Sequence, residues 1–170
     1  LRTMLCLFDD CAFSGREPYL GAQDEPIPGV HNSGAAASPG REVVRDRSRW
    51  PDLERYTREV VAHFRADSRV LAWDLYNEPG NEAVFTRRVE PDSRGALAPQ
   101  SVALAEACFG WARDERPEQP LTSGVWSRDW ATTEARLLEL SDFVSFHNCF
   151  SLEPLARQVA QLRNLGRPLM

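Results

Sequence analysis

The 170-residue sequence contains no lysine, so arginine supplies all twenty of its basic side chains. Acidic residues outnumber the basic ones by 25 to 20, and the formal net charge is −5. A surface that binds nucleic acid needs concentrated positive charge to replace the counterions of the phosphates. The charge balance therefore argues against nucleic acid as a partner.

Segments that would assign other function classes are also missing. No apolar run approaches the roughly 18–20 residues of a membrane-spanning helix, so we expect no membrane partner. The glycine-rich phosphate motifs GxGxxG and GxxxxGKS/T are absent, which disfavours nucleotide binding. No secretory signal is visible, but the chain opens directly on an apolar strand, so the sequence does not assign a compartment.

Metal-binding patterns are absent as well. The four cysteines form no CxxC pair, and the three histidines follow no recurring ligand spacing. We therefore expect neither a metal ion nor another cofactor. Cys6 falls in an apolar strand and Cys108 in a helix, which predicts that both act as small buried hydrophobic residues.

What is present is organised around one stretch, residues 70–81, with the sequence VLAWDLYNEPGN. Its apolar first half is typical of a parallel strand covered by helices on both faces. Pro79 has no N–H for a strand ladder and Gly80 tolerates unusual backbone angles, so we expect the strand to end there. Asn77 and Glu78 then lie at the carboxyl end of a buried strand, the edge at which parallel α/β proteins carry out chemistry.

Strands and helices alternate along the whole chain. Strands are predicted over residues 3–8, 70–77, 121–126 and 143–147, with a fifth beginning at 167–170. Helices are predicted from Pro51, over 101–115 with Ser101 as the cap, from Thr132 or Thr133 to Leu140, and over 152–165. Long loops are predicted over residues 12–49 and 82–100. The alternation predicts the α/β class with one parallel sheet.

Two architectures agree with this alternation, an open doubly wound sheet and part of a closed barrel. The loops after the strands are long and aromatic, whereas those after the helices are short. The elaborated surface therefore lies at the carboxyl ends of the strands, as in a barrel enzyme. We expect a single domain over residues 1–170, a partial (β/α)8 TIM barrel of about five parallel strands with intervening helices. The doubly wound sheet stays as the rival.

Five side chains of chemical interest are predicted at the carboxyl ends of the strands: Asp10, Asn77, Glu78, Trp126 and His147. Hydrogen-bonding groups suit the hydroxyls of a sugar, aromatic faces suit the apolar sides of its rings, and a carboxyl suits proton transfer. A partly apolar mouth is expected to raise the pKa of Glu78, as a general acid near neutrality requires. The set predicts a carbohydrate substrate, with Glu78 catalytic and the other four as sugar contacts; for Trp126 a place in the core is an equal alternative.

The residues DLYNEP at 74–79 resemble the Asn-Glu-Pro end of the fourth barrel strand in glycoside hydrolase family 5 and its relatives in the clan of retaining (β/α)8 glycosidases, which include cellulases, mannanases and xylanases. In those enzymes the Glu is the general acid/base and the Asn binds the sugar 2-hydroxyl, roles that the resemblance assigns to Glu78 and Asn77. His147-Asn-Cys149 resembles the His-x-Tyr of their sixth strand. Residues 167–170 resemble the lead-in to the seventh strand, whose tip carries the nucleophile.

The resemblance implies a retaining glycosidase, endo- or exo-acting on a β-linked polysaccharide or oligosaccharide, of which this chain runs from the third strand to the start of the seventh. Retention needs two carboxyl groups about 5–5.5 Å apart. The resemblance places the second one beyond Met170, so we expect a chain truncated at both ends and inactive by itself.

The sequence departs from the family 5 pattern at two positions. Asp10 stands where many of these enzymes have a histidine, so the contacts there differ, and Cys149 stands where they have the tyrosine that helps to hold the nucleophile. Cys149 and the absent nucleophile make a second hypothesis plausible, a non-catalytic or degenerate carbohydrate-binding barrel. The sequence specifies neither the sugar nor the oligomeric state.

Overall fold

A computed structural model of the chain describes residues 1–11, 16–30, 32–81, 98–126, 134–148 and 151–170. The strands are β1 (Thr3–Cys6), β2 (Val70–Asp74) and β3 (Leu121–Thr122). The helices are α1 (Arg41–Arg45), α2 (Trp50–Phe64), α3 (Ala98–Asp114), α4 (Ala135–Leu140) and α5 (Leu152–Arg163), with a short 3-10 helix at Arg47–Arg49.

The sheet is parallel, and β2 lies between β1 and β3. Isolated parallel bridges extend it, from Val125 to Phe146 and from Val144 to Leu169. Within the described ranges, neighbouring segments of the sheet therefore follow the order of the chain without a reversal. A doubly wound sheet has a reversal of strand order at its switch point, whereas a barrel has none. The strand order thus supports part of a barrel over the doubly wound rival.

The predicted α/β class with a parallel sheet is confirmed, although the strands are shorter than predicted. Three of the five predicted strands form a regular ladder, and the other two predicted strands are present as single bridges. β1 ends at Cys6, and Asp9 then forms an antiparallel bridge with Ser38 and a parallel bridge with Asn77. The carboxyl ends of β1 and β2 are therefore joined to each other and to the loop that precedes α1.

The main hydrophobic core forms where α2 and α3 pack on the sheet. Val61 of α2, Leu104 and Phe109 of α3 and Trp73 of β2 are buried together. Full burial of an apolar side chain of this size contributes about 1.5–3 kcal/mol. This layer fixes the position of β2 and therefore of the residues that follow it.

Three of the local predictions are wrong. Residues 12–49 contain α1 and the 3-10 helix, because Val44 of α1 is fully buried in the core and holds the segment down. Helix α3 begins at Ala98, so Ser101 lies inside the helix and does not cap it. Cys6 is exposed, because β1 has a sheet neighbour on one side only among the described residues. Cys108 is buried, as predicted.

Candidate active site

The candidate site is built on the turn that ends β2. Glu78 has a left-handed backbone φ of 47°, and Gly80 has a φ of 77°. In a continuous strand, successive side chains such as those of Asn77 and Glu78 point to opposite faces. The left-handed residue breaks this alternation, so both side chains reach the same thiol. Cys11 Sγ lies 2.8 Å from Glu78 Oε2 and 3.7 Å from Asn77 Nδ2.

Asp10 supports this turn from within the protein. Its Oδ1 accepts a hydrogen bond from Tyr76 Oη at 2.7 Å, and its Oδ2 accepts one from Gly80 N at 2.6 Å. Burial raises the pKa of Asp10 in spite of these bonds. The carboxyl is 3% exposed and has a bond on each oxygen. This placement differs from the sugar contact predicted from the sequence and gives Asp10 a role in shaping the turn.

Three side chains surround the carboxylate of Glu78. Cys11 Sγ at 2.8 Å and Asn81 Nδ2 at 2.5 Å both contact Oε2. His147 Nδ1 is hydrogen-bonded to Oε1. Glu78 is 9% exposed, so its charge is satisfied almost entirely by protein groups.

Sequence reasoning missed Cys11 and Asn81. CxxC spacing gives no signal for Cys11, but its place directly after the two aspartates that end the first strand does. Asn81 lies three residues after Glu78 in a proline-glycine turn, and that short spacing is a signal that could have identified it.

The pKa of Glu78 contradicts the expectation from the sequence. Burial raises this pKa, but the hydrogen bonds from His147, Cys11 and Asn81 together outweigh burial and hold the pKa below its ordinary value. The hydrogen bond to Glu78 raises the pKa of His147, against the effect of burial. The raised pKa expected for Glu78 is therefore wrong, because the expectation took account of the apolar surroundings and not of the donors. The two shifts favour the ion pair, in which the proton is on the imidazole.

Gly124 has no side chain, and this leaves room for the side chains of Asn77, Asp74 and His147 to converge. A Cβ at this position would lie 2.9 Å from Asn77 Oδ1, 3.3 Å from Asp74 Oδ2 and 3.4 Å from His147 Nε2. Asp74 is buried and accepts a hydrogen bond from Gly124 N at 3.2 Å. Burial raises the pKa of Asp74 to about 7. A second titratable carboxyl therefore lies next to the imidazole.

Trp126 borders the site from the end of the third sheet segment. Its indole Nε1 donates a hydrogen bond to Pro79 O at 3.1 Å, and its backbone N donates to Glu134 Oε1 at 3.0 Å. The ring is half-buried beside the residue that follows Glu78. A fixed aromatic ring in this position can face a ligand.

The structure thus brings Asn77, Glu78 and His147 together, places Trp126 at their border and puts Asp10 beneath the turn. Cys149 lies outside the described residues. Over the described ranges, no group of three or more His, Cys, Asp and Glu side chains is arranged to hold a metal ion. No helix in the same ranges is long and apolar enough to cross a membrane.

Comparison with solved structures identifies similar folds. Over 75% of its length the chain is similar to a mutant of xylanase A from P fluorescens subsp. cellulosa in complex with xylopentaose, with a TM-score of 0.51 and 18% identity. Over 82% it is similar to a mutant of Xylanase10C from Cellvibrio japonicus in complex with xylopentaose, with a TM-score of 0.50 and 13% identity. The chain covers 43% and 31% of the lengths of these two structures.

At these identities the similarity shows the fold alone, which is part of the α/β barrel architecture of these xylanases. Both neighbours are xylanases of glycoside hydrolase family 10, so the resemblance to family 5 stays a prediction. No protein-family model matches the sequence, and a search of curated proteins finds no match.

Proposed function

We propose that this chain forms part of the catalytic barrel of a retaining glycosidase that hydrolyses a β-linked polysaccharide or oligosaccharide, with Glu78 as the general acid/base. The observation that carries the proposal is the position of Glu78. It follows the central strand of the parallel ladder in a left-handed conformation, and its carboxylate contacts His147 from another segment of the sheet. Barrel enzymes hold their reacting groups at this edge of the sheet. The xylopentaose bound by the two barrel neighbours supports a xylan-type substrate.

In the proposed reaction, Glu78 protonates the departing glycosidic oxygen and later accepts a proton from the attacking water. Because its donors keep the carboxyl ionised, Glu78 needs a proton source before the first step. His147 contacts Glu78 Oε1 through Nδ1, and its raised pKa favours the imidazolium, which carries a proton at that nitrogen. We assign His147 as that source: its proton moves through Oε1 to the leaving oxygen, and the proton that Glu78 later takes from the attacking water passes to Nδ1.

The neighbouring side chains would hold the sugar. Asn77 would bind a ring hydroxyl, and Trp126 would offer its ring to an apolar sugar face. Asp10 would act through the turn that it supports. Retention also needs a second carboxyl about 5–5.5 Å from the first. We propose that residues following Met170 supply it, so that the 170-residue chain alone does not turn over substrate.

One observation favours a second candidate, a degenerate barrel that binds carbohydrate without cleaving it. The carboxylate of Glu78 is paired with His147, and its pKa is lowered, whereas an acid catalyst gains from a raised pKa. Under this candidate the same side chains would bind sugar hydroxyls, and Glu78 would act only as an acceptor.

The test compares the wild-type protein, in a form that continues past Met170, with its Glu78→Gln variant on β-xylan, β-glucan and β-mannan. Loss of proton transfer should lower kcat on the cleaved polymer by at least about 100-fold, since general acid–base catalysis contributes about 10²–10⁴-fold. Glu153→Gln is the matched control, because Glu153 is an exposed acid paired with Arg157. It should keep wild-type turnover.

Two results would overturn the catalytic proposal. Equal turnover by wild type and Glu78→Gln would remove Glu78 from the reaction. Sugar binding with no hydrolysis of any of the three polymers by the wild type would favour the second candidate.

A further inference from the structure

We infer that Cys11 is a positioning residue for Glu78: its thiol, together with the amide of Asn81, occupies Oε2 and leaves Oε1 as the oxygen that exchanges the proton. The inference rests on the proposed function, because it concerns the proton of the same carboxyl. The proposed reaction as described above does not use Cys11, and the inference assigns that residue a role. We call Cys11 and Asn81 the Oε2 clamp.

The geometry of the Oε2 clamp carries the inference. Cys11 Sγ lies 2.8 Å and Asn81 Nδ2 lies 2.5 Å from the same carboxylate oxygen. A carboxylate oxygen has about two lone-pair directions, so two donors occupy it. Cys11 is 6% exposed and Asn81 is 5% exposed, so water has little access to replace either donor. The contact with His147 is on the other oxygen, Oε1.

The thiol is suited to donate its proton to Glu78. Burial, the hydrogen bond to Glu78 and the nearby negative charges raise the pKa of Cys11 far above its usual range, so the sulfur stays protonated. Two amide groups approach the sulfur as donors, Asn77 Nδ2 at 3.7 Å and Asn81 Nδ2 at 3.9 Å. The sulfur therefore accepts from the amides and has its single proton for Oε2.

The position of Cys11 is itself fixed. Its backbone N donates a hydrogen bond to Asp9 Oδ1 at 2.7 Å, which closes a local turn after β1. Asp9 is in turn bridged to Asn77 of the neighbouring segment. The sulfur is thus held by the same backbone framework that holds Glu78, which is what a positioning role requires.

Removal of the thiol has a defined consequence. With alanine at position 11, Oε2 keeps only the Asn81 donor, and the ionised form of Glu78 loses part of its stabilisation. The pKa of Glu78 should therefore rise. With serine at position 11, a hydroxyl donor is restored, and the pKa should fall back toward the wild-type value. A merely structural role for Cys11 does not predict this rescue.

The experiment is a carbon-13 NMR titration of the Glu78 carboxyl in the 170-residue chain. We expect a higher pKa in Cys11→Ala than in wild type, and a value between them in Cys11→Ser. Cys108→Ala is the matched control, because it removes a buried thiol in α3. It should leave the Glu78 pKa unchanged. A Glu78 pKa in folded Cys11→Ala that equals the wild-type value would overturn the inference.

A measurement on the wild type keeps the inference testable if Cys11→Ala does not fold. A thiol hydrogen-bonded to a carboxylate has a lowered S–H stretching frequency, which Raman spectroscopy detects. One S–H band should lie at low frequency, move to higher frequency as Glu78 is protonated, and be absent from Cys11→Ser. A set of S–H bands that does not respond to pH would overturn the inference.

The form that continues past Met170 separates this inference from the proposed function. In Cys11→Ala the basic limb of the kcat/KM profile, along which the acid form of Glu78 is lost, should move to higher pH, and in Cys11→Ser it should move back. If Glu78→Gln keeps full turnover, the proposed function fails and the NMR titration still decides on the Oε2 clamp. If Glu78 is essential but Cys11→Ala changes neither the Glu78 pKa nor the pH profile, the clamp is wrong and the proposed function stands.

Discussion

His147 and Glu78 lie 69 residues apart in the chain, and their contact sets the charge of both side chains. The sequence predicted that these two residues and Asn77 would meet, because each follows an apolar strand and parallel strands end at one edge. It did not predict the direction of the Glu78 pKa. That direction depends on hydrogen bonds from Cys11, Asn81 and His147. Asn81 lies in the same turn as Glu78, but Cys11 and His147 come from distant segments whose side-chain geometry no local pattern specifies.

The buried carboxyl of Asp74 predicts a pH dependence of stability that can be tested at a single residue. Burial raises its pKa from 3.8 to about 7 in the folded chain. A raised folded-state pKa contributes stability that is complete below the unfolded pKa and is lost as the pH rises through the folded pKa. The contribution of Asp74 to stability should therefore fall between pH 3.8 and about 7, by up to roughly 4 kcal/mol at 1.36 kcal/mol per pKa unit.

Asp74→Asn should abolish this loss, since an amide oxygen still accepts from Gly124 N but carries no charge. Urea unfolding of both proteins at several pH values from 4 to about 8 measures the difference. Asp52→Asn, at an exposed acid of α2, is the control and should follow the wild type. Parallel stability curves for wild type and Asp74→Asn would contradict the assignment.

At the scale of elements, the turn from Glu78 to Asn81 positions the site. The sequence predicted its location from proline and glycine, and the left-handed φ of 77° at Gly80 is what glycine there permits. The sequence did not predict α1 or the early start of α3. Both follow from tertiary packing, since Val44 of α1 is fully buried and Ala98 packs against Gly80.

Gly80→Ala tests how tightly this turn is held. An added Cβ would lie 2.7 Å from Ala98 Cβ, in a left-handed conformation that disfavours side chains. We expect a loss of about 2–3 kcal/mol in the free energy of unfolding, with displacement of Glu78. Denaturant unfolding measures the first effect, and the Glu78 carboxyl resonance reports the second.

Two glycines provide controls for Gly80→Ala. Gly166 has a φ of 66° with no atom within 4 Å of an added Cβ, so Gly166→Ala should cost only the conformational term of about 1 kcal/mol. Gly110 lies in α3 with open space around it, and Gly110→Ala should stabilise the helix by up to about 1 kcal/mol. If all three variants had equal stability, close packing at the turn would be excluded.

For the whole molecule, the order of the sheet segments is the most informative feature. Alternation in the sequence indicated a parallel sheet, but it did not distinguish a barrel from a doubly wound sheet. That distinction depends on which segments pair, and the pairing of residues as distant as Val125 and Phe146 is a tertiary property. The similarity to the two xylanases agrees with the barrel, while the chain covers less than half of either structure.

The central claim is that Glu78 transfers a proton to the leaving oxygen of a β-linked sugar. The most direct measurement uses the protein in a form that continues past Met170 and compares its cleavage of two substrates. One is a xylo-oligosaccharide, whose leaving group needs protonation, and the other is dinitrophenyl β-xyloside, whose leaving group does not. Glu78→Gln should lose at least about 100-fold in the cleavage rate of the first. The initial burst of dinitrophenolate from the second should stay within about 10-fold of wild type, because that bond breaks without an acid. Equal losses on both substrates, or no loss on either, would contradict the account.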